Sequence, residues 1–209
     1  MNIILATQGS QGVIALSELF AENYKPQDIH VAICEDGVSG PLIEFIRYNQ
    51  ISYSSHASGF HFSKWLINEK KKYDQLVSIS WKYLFRKDVL KYFRGNAINF
   101  HPGILPNYRG CFSTPWSMIN NEGYVGYTYH YISERFDEGD ILFESKIKIA
   151  NIDTAHSLNY RIFQRGLSNL TEAIKLIGVK GAPQSGLVNY YPNKLPLSGE
   201  IDNKWSVKQ

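Results

Sequence analysis

A chain of 209 residues, 44% hydrophobic and 20% charged, has the size and make-up of one globular domain that buries its core without disulfides. No run approaches the roughly 18 apolar residues of a membrane span. The formal charge of +3 is spread over 22 basic and 19 acidic residues, with Lys70-Lys71-Lys72 the one dense run, which argues against a nucleic-acid partner.

The predicted elements begin at once. Ile3–Ala6 is a short apolar run without a basic leader region, so it reads as a first strand and the protein as cytoplasmic. Gln8-Gly9-Ser10-Gln11-Gly12 is a Gly-rich turn, after which Val13, Ile14, Leu16, Leu19 and Phe20 recur at helical spacing. The rhythm repeats: strand His30–Cys34, helix Pro41–Asn49, strand Ile51–Ser54, helix Phe62–Lys71, strand Leu76–Ser80. Strands alternating with helices predict a Rossmann-like α/β fold, a mostly parallel sheet flanked by helices, with ligands gathering beyond the carboxyl ends of the strands.

The second half differs. Gly126–Ser133 and Ile141–Ile149 leave no room for a crossover helix between them and should pair antiparallel, making the sheet mixed. From Asp153, a suitable N-cap, the apolar positions Leu158, Ile162, Leu167, Leu170, Ala173, Ile174 and Ile177 predict one long helix stopped by Gly178. The tail, with Pro183, Pro192 and Pro196, is loop around a strand at Leu187–Tyr191. We expect a single domain over residues 1–209, with the loop-rich stretch 178–209 belonging to its core.

Cys34 and Cys111 lack metal-ligand spacing, so no metal site is expected. Gly9 and Gly12 form only a G-x-x-G fragment, insufficient for a dinucleotide fingerprint. The backbone of Gly9, Ser10 and Gln11 at a helix start suits a phosphate of a substrate, or simply makes a tight turn.

The dense region is Asn99-Phe100-His101-Pro102-Gly103-Ile104-Leu105-Pro106-Asn107-Tyr108-Arg109-Gly110. Strand alternation puts Asn99 and His101 on one face, so a carboxamide and an imidazole converge at a strand end, followed by a loop stiffened by two prolines. Preorganised donors of this kind serve a developing oxyanion. Phe136-Asp137-Glu138-Gly139-Asp140-Ile141-Leu142 adds a tight acidic turn, in which chemistry alone leaves Asp137, Glu138 and Asp140 as alternatives for a partner carboxylate.

Asn99-Phe100-His101-Pro102, Leu105-Pro106-Asn107-Tyr108-Arg109-Gly110 and Asp137-Glu138-Gly139-Asp140-Ile141-Leu142 together resemble the signature of the folate-dependent formyltransferases. The resemblance covers most of the chain and extends to Tyr190-Tyr191-Pro192 and Gly199-Glu200-Ile201-Asp202. It implies formyl transfer from 10-formyltetrahydrofolate to a primary amine, without a metal, with Asn99, His101 and Asp137 as the catalytic trio. It further implies folate contacts at Ser80, Trp81, Lys82, Tyr83 and Leu84 and at Ser133, Glu134, Arg135 and Phe136; Trp81 and Tyr83 read equally as core or rim aromatics. By the same resemblance His130 is structural, and His30, His56, His61 and His156 have no functional setting.

For the acceptor, the chain ends where the family's catalytic core ends and its charge is mild, which disfavours tRNA. Gly139 is followed by Asp140 and not by the proline usual in glycinamide ribonucleotide transformylases. The expected acceptor is therefore a nucleotide-linked amino-dideoxy sugar of surface glycan synthesis, UDP- or dTDP-linked. Tyr108 and Arg109 are set either to meet its base or diphosphate or to stiffen their own loop. The alternatives are another amine, a carrier-bound or tRNA-bound aminoacyl group or glycinamide ribonucleotide, or a non-catalytic folate- or nucleotide-binding module; a homodimer is left open.

Overall fold

The structure is a computed structural model that describes residues 1–37 and 40–195. One seven-stranded sheet runs through it in the order β3-β2-β1-β4-β5-β7-β8. Its strands are β1 (Ile3–Thr7), β2 (Ile29–Cys34), β3 (Ser52–His56), β4 (Gln75–Ile79), β5 (Ala97–His101), β7 (Tyr124–Tyr131) and β8 (Ile141–Lys148). The first five are parallel, and β7 and β8 are antiparallel additions, as the short link between them requires. This is the Rossmann-like, mixed sheet expected from the alternating pattern.

β1, β2 and β4 are buried almost throughout and read as continuous apolar runs because helices cover both faces. On one face α1 (Gly9–Ala21), α2 (Gly40–Tyr48), α6 (Ala155–Ser168) and α7 (Leu170–Lys175) bury Leu16, Leu42, Ile162 and Leu170 against Leu5, Ile33 and Phe100. On the other, α3 (Gly59–Asn68) and α4 (Lys87–Phe93) bury Phe62, Leu66, Val89 and Phe93 against Ile4, Ala6 and Ala32. Chain order reverses between β1 and β4, the topological switch point at which such sheets open a crevice.

Several expectations are corrected. The N-cap of α6 is Thr154, not Asp153: Thr154 Oγ1 accepts from the Ser157 N–H at 3.1 Å, and the Ser157 hydroxyl accepts from the Thr154 N–H at 3.0 Å. Asp153 stays outside, accepting from the Ala150 N–H and the Ser157 hydroxyl and pairing with Arg161. The predicted long helix is broken at Asn169, whose side-chain amide donates to Arg165 O at 2.7 Å and to the Tyr127 hydroxyl at 3.0 Å. A polar cap bound to the sheet thus overrides a continuous apolar periodicity. α4 and α5 (Ser113–Ile119) were not anticipated, being too short for a periodic signal. The tail strand shrinks to β9 (Tyr190–Tyr191), which pairs in parallel with β6 (Arg109–Gly110). The stretch Gly199-Glu200-Ile201-Asp202 lies outside the described residues.

Candidate active site

At the carboxyl end of β5, Ile98 and Phe100 enter the core while Asn99 and His101 take the opposite face, as alternation demands. In the antiparallel register Asn99 sits across from His130 and His101 across from Thr128. Asn99 Nδ2 donates to His130 Nε2 at 3.1 Å. His130 Nδ1 lies 2.8 Å from Tyr131 O, which can only accept, so that nitrogen carries a proton and the ring is held with Nε2 facing the Asn99 amide.

The loop after β5 is held from several sides. Thr128 Oγ1 donates to Gly103 O at 2.7 Å and accepts from the Leu105 N–H, and the Leu105–Pro106 peptide is cis. His101 Nε2 donates to Tyr108 O at 2.6 Å, and its Nδ1 lies 3.5 Å from Asp137 Oδ1. Both nitrogens of this buried ring therefore face protein groups.

Asp137 is only 8% exposed and adopts φ +56°. Its Oδ2 accepts from the Gly110 N–H at 2.9 Å, while Oδ1 lies 3.5 Å from both His101 Nδ1 and His130 Nε2. Burial pushes this carboxyl up, but the His101 charge, the His130 imidazole and the Gly110 N–H outweigh burial and hold it well below the usual carboxylate range. Of the three acids of the turn, only Asp137 is seated against the imidazoles: Glu138 pairs with Arg109 at 3.2 Å and Arg135 at 3.8 Å, and Asp140 is exposed.

Tyr108 and Arg109 take the loop-stiffening role. The Tyr108 ring is 4% exposed, stacks on Tyr191 at 5.1 Å and donates its hydroxyl to Glu122 at 2.7 Å. Arg109 donates to Gln184 Oε1 at 3.0 and 2.7 Å, and the Gln184 amide donates in turn to Asp137 O and Gly139 O. Arg109 is spent on fixing the turn that carries Asp137.

Two cavities share Pro102 as a wall. The first, about 500 Å³, is lined by eight of the nine expected folate contacts: Ser80, Trp81, Lys82, Tyr83, Leu84, Ser133, Arg135 and Phe136, with Asn99, His101, His130 and Asp137 at its wall. Glu134 is not among them and pairs with Lys87 at 3.0 Å. Trp81 is a core aromatic stacked on Phe85, Tyr83 a rim ring set edge-on to it, and Lys82 is tied to Asp36. Ser80 holds φ +59°, a conformation that side chains accept only under constraint and that recurs at functional sites.

The second cavity, about 420 Å³, lies between α1, α5 and α6 and receives Ser10 and Gln11; Gly9 is not part of its lining. Pro102, next to His101, lines both cavities. The α1 N-terminus has no side-chain cap on its free N–H groups and no acidic residue in its first turn, which leaves it electropositive.

Sequence reasoning missed His130, set aside as structural, and the side chains of α6 that line the second cavity. His130 carried a signal in its spacing from Thr128 on one strand face. His156, Asn159, Tyr160, Phe163 and Gln164 share one face of a helix, at spacings of three and four, opposite its buried stripe. His30 and His56 are buried and linked through Ser54, with burial pushing each down to about 4. Among the described residues no cluster fit to bind a metal ion occurs, and no helix is long and apolar enough to cross a membrane.

The profile of the family described as "Formyl transferase" matches residues 63–174, which span β4, β5, the proline-stiffened loop and the Asp137 turn. The chain belongs to this formyl transferase family. Among its relatives is the GDP-perosamine N-formyltransferase of Brucella melitensis biotype 1, 38% identical over 100% of this chain and 81% of that protein. An N-formyltransferase from Helicobacter canadensis, solved with folinic acid and dTDP-3-aminofucose, superposes with a TM-score of 0.79 at 20% identity over 100% of this chain and 76% of that one. Glycinamide ribonucleotide transformylase 1 from Symbiobacterium toebii follows with a TM-score of 0.72 at 21% identity over 84% and 86% of the two chains. At such identities these structures show that the formyltransferase fold is shared.

Proposed function

We propose that this chain transfers the formyl group of 10-formyltetrahydrofolate to the amine of a nucleotide-linked amino-dideoxy sugar, in surface glycan synthesis in the cytoplasm. The carrying observation is that Asn99, His101 and Asp137 line the first cavity, suited to a donor, and that Pro102, next to His101, also lines the second, suited to an acceptor. The first cavity suits a folate: it is wide enough, mainly apolar, and edged by residues 80–84, Ser133, Arg135 and Phe136. Bound there, the cofactor supplies an electrophilic formyl carbon.

Asn99 spends one amide hydrogen on His130 and keeps the other for the formyl oxygen as it gains negative charge. His101 is fixed beside that oxygen by Tyr108 O and by the adjoining Asp137 carboxylate, 3.5 Å from its Nδ1. As the amine bonds to the formyl carbon and the carbon–nitrogen bond to the folate breaks, Asp137, held as a carboxylate, passes the proton lost by the amine through water to the departing folate nitrogen. Ser10 and Gln11, at the α1 N-terminus, meet a phosphate of the acceptor. The 38% relative that acts on GDP-perosamine favours a GDP-linked sugar over the UDP- or dTDP-linked ones expected from the sequence.

The test is release of tetrahydrofolate, followed by absorbance, from 10-formyltetrahydrofolate and a panel of amines. GDP-, dTDP- and UDP-linked amino sugars, glycinamide ribonucleotide, initiator tRNA and aminoacyl carrier proteins make up the panel. Turnover with a nucleotide sugar and none with the others is expected; turnover only with a carrier or tRNA overturns the acceptor assignment.

A further inference from the structure

The second cavity is unusual in what its side chains leave undone. Phe112 is 46% exposed and Tyr160 63% exposed, and neither ring touches another ring among the described residues. Phe112 stands on a left-handed backbone, φ +55°, immediately before α5. The Tyr160 hydroxyl and the Gln164 amide have no hydrogen-bond partner among the described residues. By contrast Asn159, on the same face, accepts from Thr114 at 2.7 Å and so ties α6 to α5 beneath them.

Large aromatics left bare on a rigid floor beside free amides fit a flat, heteroatom-edged ring. They offer faces for stacking and a donor–acceptor pair for its edge. Among the described residues no lysine or arginine lines this cavity, so its aromatic end is not built for the phosphates. Those are left to the α1 N-terminus and to His156, among the described residues the one side chain of the lining able to carry positive charge.

We propose that Phe112 and Tyr160 hold the nucleobase of the acceptor and that Gln164 reads its edge. The proposal rests on the nucleotide-sugar reading of the same cavity and adds which end of the nucleotide goes where. It makes base recognition the work of α5 and α6, separate from the catalytic strand.

The experiment is calorimetric titration of the full chain with GDP, alongside steady-state kinetics with the nucleotide sugar that the wild type uses. Phe112→Ala and Tyr160→Ala are expected to weaken GDP about tenfold each, the usual scale for loss of one base-stacking ring. The KM for the sugar nucleotide should rise with it, while the folate KM stays within about twofold; Tyr160→Phe, which keeps the ring, should bind GDP like the wild type. Pyrophosphate, which has no base, should bind wild type and variants alike. Unfolding temperatures check that the fold survives, as expected for exposed side chains. If GDP binds both alanine variants as tightly as the wild type, the base lies elsewhere and the inference falls, while formylation of the nucleotide sugar by the wild type still upholds the parent reading. If the wild type neither binds GDP, dTDP or UDP nor formylates any nucleotide-linked sugar, both fall together.

Discussion

Around the first cavity the catalytic side chains and the cations beside them are already engaged, although Trp81 Nε1 is buried there without a hydrogen-bond partner among the described residues. Asn99 is bound to His130, His101 to Tyr108 and Asp137, Lys82 to Asp36, and Arg109 to Gln184 and Glu138. Around the second, the side chains of Ser10, Gln11, His156, Tyr160 and Gln164 have no partner among the described residues. The side that does chemistry is preorganised by bonds made within the protein, and the side that selects an acceptor keeps its bonding capacity for the ligand. Substitutions on the first side should therefore disturb rate and stability together, and those on the second should change affinity at little structural cost.

The largest effect is expected at Asp137. Asp137→Asn removes the charge that faces His101 and His130 while keeping the shape of the turn, so turnover should fall about a hundredfold or more with the fold intact by circular dichroism. Glu138→Gln only loosens Arg109 and Arg135 and should lose less than about tenfold. Were the two results reversed, the working carboxylate would be Glu138.

Next come the donors. Asn99→Ala and His101→Ala should each cost about two orders of magnitude in kcat. His130→Ala leaves the Asn99 amide free to rotate and should cost about tenfold in kcat, with the KM for both substrates nearly unchanged. A His130→Ala enzyme with wild-type kcat would show that Asn99 needs no orientation, and the first cavity would lose its claim to being prearranged.

This contrast also explains what was legible in the sequence. The strand and helix order, the antiparallel pair and the shared face of Asn99 and His101 follow from periodicity, because each is a local repeat set by burial. The choice of Asp137 over Glu138 and Asp140 came from the motif and is supported by a cross-chain register that no local pattern encodes. Arg109 could not be assigned from sequence because its partner Gln184 is 75 residues away in the chain. The break at Asn169 escaped because a single side-chain bond to Tyr127 overrides an apolar stripe that continues past it.

Gly59 gives a sharper test of the donor side. A Cβ there would stand 2.1 Å from Leu84 O, so Gly59→Ala must push the 80–84 segment that walls the first cavity. The folate KM should rise on the order of fivefold, as about 1 kcal/mol of overpacking implies, with acceptor KM unaffected. Acid should act on the same wall, since the His56 ring lies 6.2 Å from Trp81. His30 and His56 are neutral in the fold, with values pushed down by burial from 6.5 to about 4. The unfolded chain thus binds more protons between those limits, and stability is lost as pH falls from 6.5 towards 4. Folate affinity should decline in that window before GDP affinity does, as paired titrations would show.

The smallest effects separate the two sides most cleanly in stability. Arg109→Ala leaves Gln184 and Glu138 without their shared cation and frees the turn that carries Asp137, so it should cost about 1–3 kcal/mol in urea unfolding. Its effect on activity should be a lowered kcat with little change in acceptor KM, because the guanidinium is occupied by the protein. Gln164→Ala breaks no bond within the described residues and should move stability by no more than about 0.5 kcal/mol, with a several-fold rise in acceptor KM. An Arg109→Ala variant of wild-type stability but poor acceptor affinity would place that guanidinium on the substrate. The division between an engaged catalytic wall and an unengaged acceptor wall would then fail at the residue that ties the β6 loop to the Asp137 turn.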